Sequence, residues 1–449
     1  MIKENIAAIS TPLGVGGIAI IRISGESCIN SVNKYLKKSI LKQEANSIKY
    51  NKFLDGNIVL DEVLVSIFKK PFSYTGEDIV EINCHGGIYV TNKILEILIT
   101  DENIKIASPG EFSKIAFLKG KKNLIDIEAI MNTINAKNAT KLAISSEEIT
   151  NFTTKEVIDV RTKLMEIVRS IEVKMDYPEY VDIEDVFGID ILDIIKKIKL
   201  RLDKIKEDSY RGQVFNRGLK TVIIGAPNAG KSSLLNRLSN GDKAIVSEIE
   251  GTTRDVVESE VCLGKININL LDTAGIRETN EEIEKIGVEK SLKLIDEVEL
   301  ILLVIDVNLE VPKEIINIYE ENKNKKIITI LNKCDNLENH TFGYINEISI
   351  SILNNYNIEK IEEKILEIFN IKDYQIDNKA ILTNTWQTSK LLNAITLIDS
   401  AIINIENNME IDIIEIDLKA SLFELGEILG INVKDDLLNE LFKNYCLGK

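Results

Sequence analysis

One stretch of the sequence has the residues and the spacing of a phosphate-binding loop. It reads TVIIGAPNAGKSSLLNRL over residues 221–238, an apolar strand followed by an amphipathic helix. Gly225, Gly230, Lys231 and Ser232 stand between them in the order Gly-xxxx-Gly-Lys-Ser. Glycines let backbone N–H groups converge on phosphate oxygens, and the helix N-terminus adds partial positive charge. We therefore expect Lys231 to reach the β- and γ-phosphates of a nucleotide and Ser232 to ligate Mg²⁺.

A second motif, LLDTAG, ends another predicted strand. Its Asp272 is placed to hold Mg²⁺ through a water, and the N–H of Gly275 is placed to contact the γ-phosphate. GTTRD, residues 251–255, lies between this motif and the phosphate loop, where the first switch of a GTPase belongs. Thr253 is the expected second hydroxyl ligand of Mg²⁺. The residue after DTAG is Ile276, whose apolar side chain cannot orient an attacking water.

A third motif, ITILNKCD, indicates which base is bound. Its Asp335 can accept hydrogen bonds from guanine N1–H and N2–H₂, which adenine does not offer, and a site built for those donors rejects the analogue. Asn332 and Lys333 complete this motif, and EISIS, residues 347–351, is expected to supply the last base-side loop with Ser351. The order and spacing of the motifs predict a GTPase.

The composition is that of a globular protein, with 44% hydrophobic and 28% charged residues. The net charge of −16 provides no general attraction to nucleic acid, so any RNA contact must use a local basic patch. No apolar run reaches the length of about 18 residues that a membrane span needs, and the N-terminal residues lack the apolar segment of a signal peptide. The cysteines at 28, 84, 262, 334 and 446 have no metal-binding spacing, which predicts a reducing, cytoplasmic location.

Three patterns of secondary structure alternate along the chain. Residues 1–118 carry short β-rich runs separated by Gly, Pro and Asn. Apolar residues recur at three- and four-residue spacing over about 124–176, where Pro178 is expected to close the helical run, and again towards the C-terminus. Residues 216–370 instead alternate strands and helices.

This order predicts a multidomain α/β and α protein, in which a P-loop GTPase domain with a mainly parallel, doubly wound sheet is inserted into an all-helical domain. Insertion at a loop is tolerated because domain termini usually lie close together. An α+β domain precedes them. The expected boundaries are 1–118 for the N-terminal domain, 119–215 and 375–449 for the two parts of the helical domain, and 216–374 for the GTPase domain.

Motifs outside the nucleotide site give the chain a more specific resemblance. They are TPLGVGGIAIIRISG (11–25), YTGEDIVEINCHGG (74–87), SPGEFSKIAFLKGK (108–121) and the terminal CLGK. Together with GTTRD and DTAGIRE, they make the chain similar, nearly from end to end, to the tRNA modification GTPase MnmE family, also called TrmE.

The resemblance implies a homodimer whose N-terminal domain binds folate and carries the dimer contact. With an FAD-containing partner, in a heterotetramer, such a protein modifies C5 of the wobble uridine of certain tRNAs. The one-carbon unit comes from 5-formyltetrahydrofolate or a related reduced folate, and the products are aminomethyl- or carboxymethylaminomethyl-type uridines. GTP hydrolysis drives opening and closing of the G domains, and K⁺ at their interface stabilises developing charge.

Functional residues carry over by their position in the family motifs. Glu284 is the implied catalytic glutamate, favoured over the neighbouring Glu278, Glu281 and Glu282. The implied K⁺ ligands are Asn228, Ser247, Ile249 and Thr252, and the implied folate contacts are Arg22, Glu81, Lys121 and Lys449. The complete set expected at GTP is Asn228, Ala229, Gly230, Lys231, Ser232, Ser233, Ser247, Glu248, Ile249, Glu250, Gly251, Thr252, Thr253, Asp272, Thr273, Ala274, Gly275, Asn332, Lys333, Asp335 and Ser351.

The terminal segment NYCLGK raises the question of whether Cys446 lies in a frayed end or in a site. The resemblance favours a site close to the reacting carbon of folate, and the preceding segment 437–445 is apolar enough to dock. No sequence neighbour obviously lowers the thiol pKa, so covalent catalysis stays open. The chain departs from the family pattern in two places. After Lys121 the family usually has Leu-Asp-Leu, whereas this chain has Lys122-Asn123-Leu124, and residues 384–390 lack the arginines that are usual there.

Other candidates have simpler structural explanations. His85, in CHGG, fits a turn or pocket wall as well as a catalytic role, while His340 fits a surface loop and Trp386 fits packing. Lysine clusters at 34–38, 119–122 and 196–206 could contact tRNA phosphates, although most such runs are solvated helix faces.

Two other functions compete with tRNA modification. A ribosome-assembly GTPase switch would share the G domain but lack the N-terminal segment and the terminal Cys. A folate-dependent one-carbon transferase acting on a metabolite would have no use for the GTPase module.

Overall fold

The computed structural model describes residues 5–136, 138–176, 189–239, 257–271, 295–335, 341–372, 379–443, 445 and 448. Contacts within the chain divide it into two compact units. The first consists of Met1–Met131 with Leu422–Lys449, and the second of Asn132–Ser421. The four domain boundaries expected from the sequence stay predictions.

Twelve strands lie within the described residues, six in each of two sheets. The strands are β1 (Asn5–Ile9), β2 (Gly16–Ser24), β3 (Ser47–Asp55), β4 (Ile58–Phe68), β5 (Ile79–Gly86), β6 (Ile104–Ile106), β7 (Leu219–Gly225), β8 (Val257–Leu263), β9 (Ile266–Leu271), β10 (Leu300–Asp306), β11 (Ile327–Asn332) and β12 (Glu347–Ser349).

The described part of the chain also contains thirteen α-helices. They are α1 (Cys28–Asn33), α2 (Ile88–Leu98), α3 (Glu111–Leu118), α4 (Leu124–Ile134), α5 (Ala139–Ile149), α6 (Phe152–Asp176), α7 (Ile189–Arg217), α8 (Lys231–Ser239), α9 (Lys313–Glu321), α10 (Glu359–Ile368), α11 (Thr385–Glu406), α12 (Ile411–Ile428) and α13 (Asp435–Lys443). None of these helices is both long and apolar enough to cross a lipid bilayer.

The sheet of the first unit has the strand order β3-β4-β5-β2-β1-β6. Its neighbours pair antiparallel except β1 and β6, which are parallel. Side chains alternate between the two faces, so Val80, Ile82 and Cys84 of β5 are buried. Glu81 and His85 project from the opposite face. The sequence pattern predicted these strands, and the structure adds the short helices α1, α2 and α3 to the same region.

The helix α4 starts at a position where the chain departs from the pattern of the family that it resembles. Asn123 Oδ1 accepts a hydrogen bond from the backbone N–H of Asp126 at 2.9 Å, and Asp126 Oδ2 accepts one from the N–H of Asn123 at 3.2 Å. This reciprocal pair satisfies two donors at the helix start. Asn123 therefore caps the N-terminus of α4.

The predicted amphipathic helices are confirmed in the second unit. On α6, Val157, Val160, Leu164, Ile167 and Ile171 are all buried, at the three- and four-residue spacing seen in the sequence. Pro178, expected to close this helix, lies outside the described residues.

The sheet of the second unit has the order β12-β11-β10-β7-β9-β8 and is parallel except for the β8–β9 pair. Every residue of β10 is buried, as expected of a central strand covered on both faces. One face packs against α8 and α10, with Leu234 and Ile361 in its core, and the other against α9, with Ile315. This arrangement confirms the predicted mainly parallel, doubly wound fold.

Candidate functional site

The phosphate loop runs from the end of β7 to the start of α8, and two of its glycines have no room for a side chain. A Cβ on Gly225 would lie 2.3 Å from the carbonyl oxygen of Val304. Gly230 has a φ of +103°, and a Cβ there would lie 2.2 Å from Asn332 Nδ2. The motif glycines are therefore required both by conformation and by close packing.

Within this loop the Lys231 ammonium is held by the backbone. Its Nζ donates hydrogen bonds to the carbonyl oxygens of Gly225 at 2.9 Å and of Ala226 at 2.8 Å. Ser232 and Ser233 follow in the first turn of α8 and are exposed. The positive charge and the two hydroxyls thus share the N-terminal end of one helix, which is the arrangement that binds phosphate and its metal.

Asn332 connects the phosphate loop to the loops that follow β11 and β12. Its Nδ2 donates to the carbonyl oxygen of Ala229 at 2.9 Å, and its Oδ1 accepts from the N–H of Ile352 at 3.4 Å. Asn228, in the same phosphate loop, adopts a positive φ of 60°. One side chain therefore fixes the phosphate side of the site relative to the base side.

The two remaining residues of the base motif are each held by a polar partner. Ser351 Oγ donates to Asp335 Oδ1 at 2.6 Å, and Lys333 Nζ lies 2.6 Å from Asp306 Oδ2. Burial opposes ionisation of Asp306, but the hydrogen bonds from Lys333 and Asn308, together with the charge of Lys333, outweigh it and lower the pKa of this carboxyl. Asn354 Nδ2 also donates to the carbonyl oxygen of Asp335 at 3.1 Å. Motif reasoning did not select Asp306 or Asn354, because neither belongs to a motif.

Fourteen predicted site residues lie outside the described residues. They are Ser247, Glu248, Ile249, Glu250, Gly251, Thr252, Thr253, Asp272, Thr273, Ala274, Gly275, Glu284, Cys446 and Lys449.

A second cluster lies on the face of the first unit's sheet opposite Val80 and Ile82, where Arg22 of β2 pairs in register with Glu81 of β5. Arg22 donates from Nε to Glu81 Oε1 at 2.9 Å, and its Nη2 lies 2.8 Å from the same oxygen. Arg22 Nη1 donates to the carbonyl oxygen of Gly448 at 3.0 Å. The guanidinium also lies 5.9 Å from the centre of the Phe112 ring. Two predicted folate contacts thus meet beside the C-terminal tail.

Lys121, the third described folate candidate, sits at the end of the turn that follows α3. Its side chain passes over Gly76, where a Cβ would lie 3.2 Å from Lys121 Cε. Among the described residues, no hydrogen bond or ion pair joins Lys121 to Arg22 or Glu81. The structure therefore joins two of the three candidates directly.

His85, further along β5, is held by Asp61 of β4. Its ring Nδ1 lies 2.6 Å from Asp61 Oδ1, and its backbone N–H donates to Asp61 Oδ2 at 2.9 Å. The hydrogen bond and charge of Asp61 raise the pKa of His85. The ring itself is exposed.

The other candidates have structural partners. Burial raises the pKa of Cys28 to about 12, which leaves it an unreactive thiol. Lys34 pairs with Asp101 at 2.6 Å and Lys196 with Glu406 at 2.7 Å, so these lysines of the predicted clusters belong to ion pairs. Trp386 is half-buried near the start of α11, and His340 lies outside the described residues.

Two family models match this chain in consecutive regions. A family model described as the GTP-binding protein TrmE N-terminus matches residues 5–121, and one described as the MnmE helical domain matches residues 124–446. The solved G domain of the T. maritima FeoB iron transporter is 24% identical, covering 33% of this chain and 98% of that chain, with a TM-score of 0.24.

Curated relatives match along the whole length. The tRNA modification GTPase MnmE of Acholeplasma laidlawii is 41% identical, over 99% of each chain. That of Thermoanaerobacter pseudethanolicus is 40% identical over 100% of both, and that of Lactobacillus delbrueckii subsp. bulgaricus is 38% identical over 99% of this chain and 98% of the relative. Such similarity from end to end, together with the two family models, means that the chain belongs to the tRNA modification GTPase MnmE family.

Proposed function

We propose that this protein is a potassium-activated GTPase that modifies C5 of the wobble uridine of certain tRNAs. It acts as a homodimer with an FAD-containing partner, in the cytoplasm, where its tRNA substrates are. A reduced folate such as 5-formyltetrahydrofolate supplies the one-carbon unit, and the products are aminomethyl- or carboxymethylaminomethyl-type uridines. GTP hydrolysis changes the separation of the two G domains.

Support for GTP as the nucleotide comes from the base side of the site. The Asp335 carboxylate is oriented by the Ser351 hydroxyl at 2.6 Å, so it is ready to accept the two N–H donors of guanine. On the phosphate side, Lys231 and Ser232 fit the phosphates and Mg²⁺, which supplies charge neutralisation when it is bound. Asn228 is the described residue that fits the proposed K⁺ ligand set.

The folate proposal rests on the chemistry of Glu81 and Arg22. Glu81 Oε1 accepts from Arg22, whereas Oε2 has no hydrogen-bond partner among the described residues. A carboxylate oxygen in that state can accept the N–H donors of a pterin ring. The side chain of Glu81 is 17% exposed, so such a ligand would be bound in a half-buried position.

One observation carries the combined function, namely the contact between Arg22 and Gly448. This contact connects the CLGK tail, which contains Cys446, to the cluster proposed for folate. A pure GTPase switch has no need for that connection.

The decisive experiment is mass spectrometry of tRNA nucleosides from cells with and without this gene, repeated with Cys446→Ser. We expect C5-modified wobble uridines to disappear on deletion, and to stay absent with Cys446→Ser while GTP turnover persists. Unchanged nucleosides, with the protein bound to ribosomal subunits, would instead support the ribosome-assembly switch.

A further inference from the structure

The tail of this chain is held at two points that bracket two residues. On one side, Tyr445 Oη donates a hydrogen bond to Glu128 Oε2 of α4 at 2.8 Å. On the other side, the carbonyl oxygen of Gly448 accepts from Arg22 Nη1 at 3.0 Å and from Ser10 Oγ at 3.2 Å. Only residues 446 and 447 lie between these anchors.

The first anchor is built into a packed environment. Tyr445 is largely buried, and burial together with the charge of Glu128 raises the pKa of its phenol, so the hydroxyl stays protonated and donates. Its ring lies 5.2 Å from that of Phe442, at the end of α13. Because the acceptor is a carboxylate, this hydrogen bond is stronger than one between neutral groups.

Gly110, immediately before α3, provides the space for that anchor. It has a φ of +68°, and a Cβ there would lie 2.7 Å from the carbonyl oxygen of Phe442 and 2.9 Å from Tyr445 Cβ. Only glycine at position 110 therefore leaves room for Phe442 and Tyr445 to pack there.

The second anchor, at Gly448, also requires glycine. Gly448 has a φ of +89°, and a Cβ would lie 2.8 Å from the carbonyl oxygen of Ile9. Its carbonyl oxygen is shared by a guanidinium and a hydroxyl, and that guanidinium is itself fixed by Glu81. Arg22 therefore connects the predicted folate-binding carboxylate to the tail.

Both anchors are hydrogen bonded to other parts of the first unit, Tyr445 to Glu128 and Gly448 to Arg22 and Ser10. A chain end without such contacts frays. Docking at both points is thus what opposes fraying.

We propose that Glu128 and Ser10 are positioning residues that dock the C-terminal tail through Tyr445 and Gly448, while Arg22 connects it to Glu81. This inference rests on the proposed function, because it gives the docked tail a role only if Cys446 or Lys449 acts in tRNA modification. It assigns no contact with folate or tRNA to Glu128 or Ser10.

Two readouts test docking without any tRNA assay. One is the rate at which carboxypeptidase B removes Lys449 from the full-length protein, and the other is the rate of iodoacetamide alkylation of Cys446, followed in the C-terminal peptide. We expect Glu128→Ala and Tyr445→Phe each to accelerate both reactions about 10- to 150-fold, as the loss of a hydrogen bond to a charged group implies. Ser10→Ala should have a smaller effect because Arg22 still holds Gly448.

Conservative and control variants separate positioning from general damage. Glu128→Gln should restore much of the protection, because its amide oxygen still accepts from Tyr445. Lys114→Met removes the 2.6 Å contact with Asn439 on α13 and should change neither rate more than about twofold, since that contact is exposed and lies before the tail. GTP turnover should be unchanged in all these variants.

The two proposals can fail separately. If Glu128→Ala, Tyr445→Phe and Ser10→Ala all leave trimming and alkylation unchanged, docking by these residues is wrong, whatever the nucleoside assay shows. If the variants release the tail but tRNA modification stays complete, the role of the tail in the proposed function is wrong. Release of the tail together with lost modification and intact GTP turnover would support both.

Discussion

Three residues of the base side of the nucleotide site are each joined to a polar partner. Ser351 orients Asp335, Asp306 holds Lys333, and Asn332 joins the two loops on either side. Such partners reduce the conformational freedom that a flexible side chain would lose on binding. We therefore predict that base selection depends on Ser351 as well as on Asp335, which it orients.

Asp335→Asn should change which purine is bound. Guanine offers two donors, N1–H and N2–H₂, and the asparagine NH₂ group would oppose one of them with another donor. Xanthine has a carbonyl acceptor at C2 instead, to which that NH₂ group can donate. We expect affinity for GDP to fall about 10- to 150-fold, as for loss of a hydrogen bond to a charged group, and affinity for XDP to rise. Displacement of a fluorescent GDP analogue measures both.

Ser351→Ala is the matched control for that substitution, because it removes the orienting hydroxyl and keeps the carboxylate. It should weaken GDP binding less than Asp335→Asn and should not favour XDP. Equal GDP affinity in Asp335→Asn and the wild type would contradict the assignment of the base pocket.

His85 should titrate above its ordinary pKa of 6.5, because Asp61 stabilises its protonated form. The folded-state value is raised, so the pair contributes stability at pH values below 6.5 and loses this contribution as the pH rises through the folded-state midpoint. NMR of the imidazole protons, assigned with His85→Gln, measures the midpoint. Asp61→Asn should lower it, and an unchanged midpoint would show that the 2.6 Å contact is not maintained in solution.

At the scale of elements, the join between α7 and β7 is a tight turn that requires glycine. Gly218 has a φ of +74°, and a Cβ would lie 2.7 Å from the backbone carbonyl oxygen of Asn267. The clash involves backbone of the neighbouring strand β9, which cannot move away without disturbing the sheet. Conformation and packing thus restrict the same residue.

Gly218→Ala should therefore lower the free energy of unfolding by more than about 2 kcal/mol, the sum of strain at positive φ and of overpacking. Gly120→Ala is the control, since Gly120 has a similar φ of +67° with no atom within 4 Å of a Cβ. It should cost only about 1 kcal/mol. Urea unfolding of both variants separates the two effects, and equal losses would show that the contact with Asn267 is unimportant.

At the scale of the whole molecule, one chain combines a nucleotide site and a tail-docking cluster, and each lies in a different compact unit. The net charge of −16 provides no general affinity for RNA. Any tRNA contact of this family member must therefore use local surfaces or the proposed partner.

The proposed K⁺ at a G-domain interface makes a prediction about the assembled protein. GTP turnover should be at least about tenfold faster in KCl than in NaCl, because a correctly sized cation stabilises charge that develops on the phosphates. Asn228→Ala should remove this difference while GTP binding persists. Equal rates in the two salts at protein concentrations that favour dimers would contradict an interface cation.

Much of the architecture was determined by the sequence itself. The glycines of the phosphate loop, the buried run of β10 and the three- and four-residue spacing on α6 are local features, and each indicates a local conformation through sterics or periodicity. The motifs NKCD and GAPNAGKS likewise predicted the chemistry of the nucleotide site, because phosphate and base contacts come from short continuous segments.

Only the tertiary structure decided which distant residues meet. Arg22 and Gly448 are 426 positions apart, and Glu128 and Tyr445 are 317 apart, yet both pairs are hydrogen bonded. Asp306 is placed beside Lys333 by the parallel pairing of β10 with β11. No local pattern encodes such contacts, because they depend on how whole elements pack. The resemblance of the sequence to its family thus predicted that the tail ending in CLGK matters, and the fold determined which residues contact Tyr445 and Gly448.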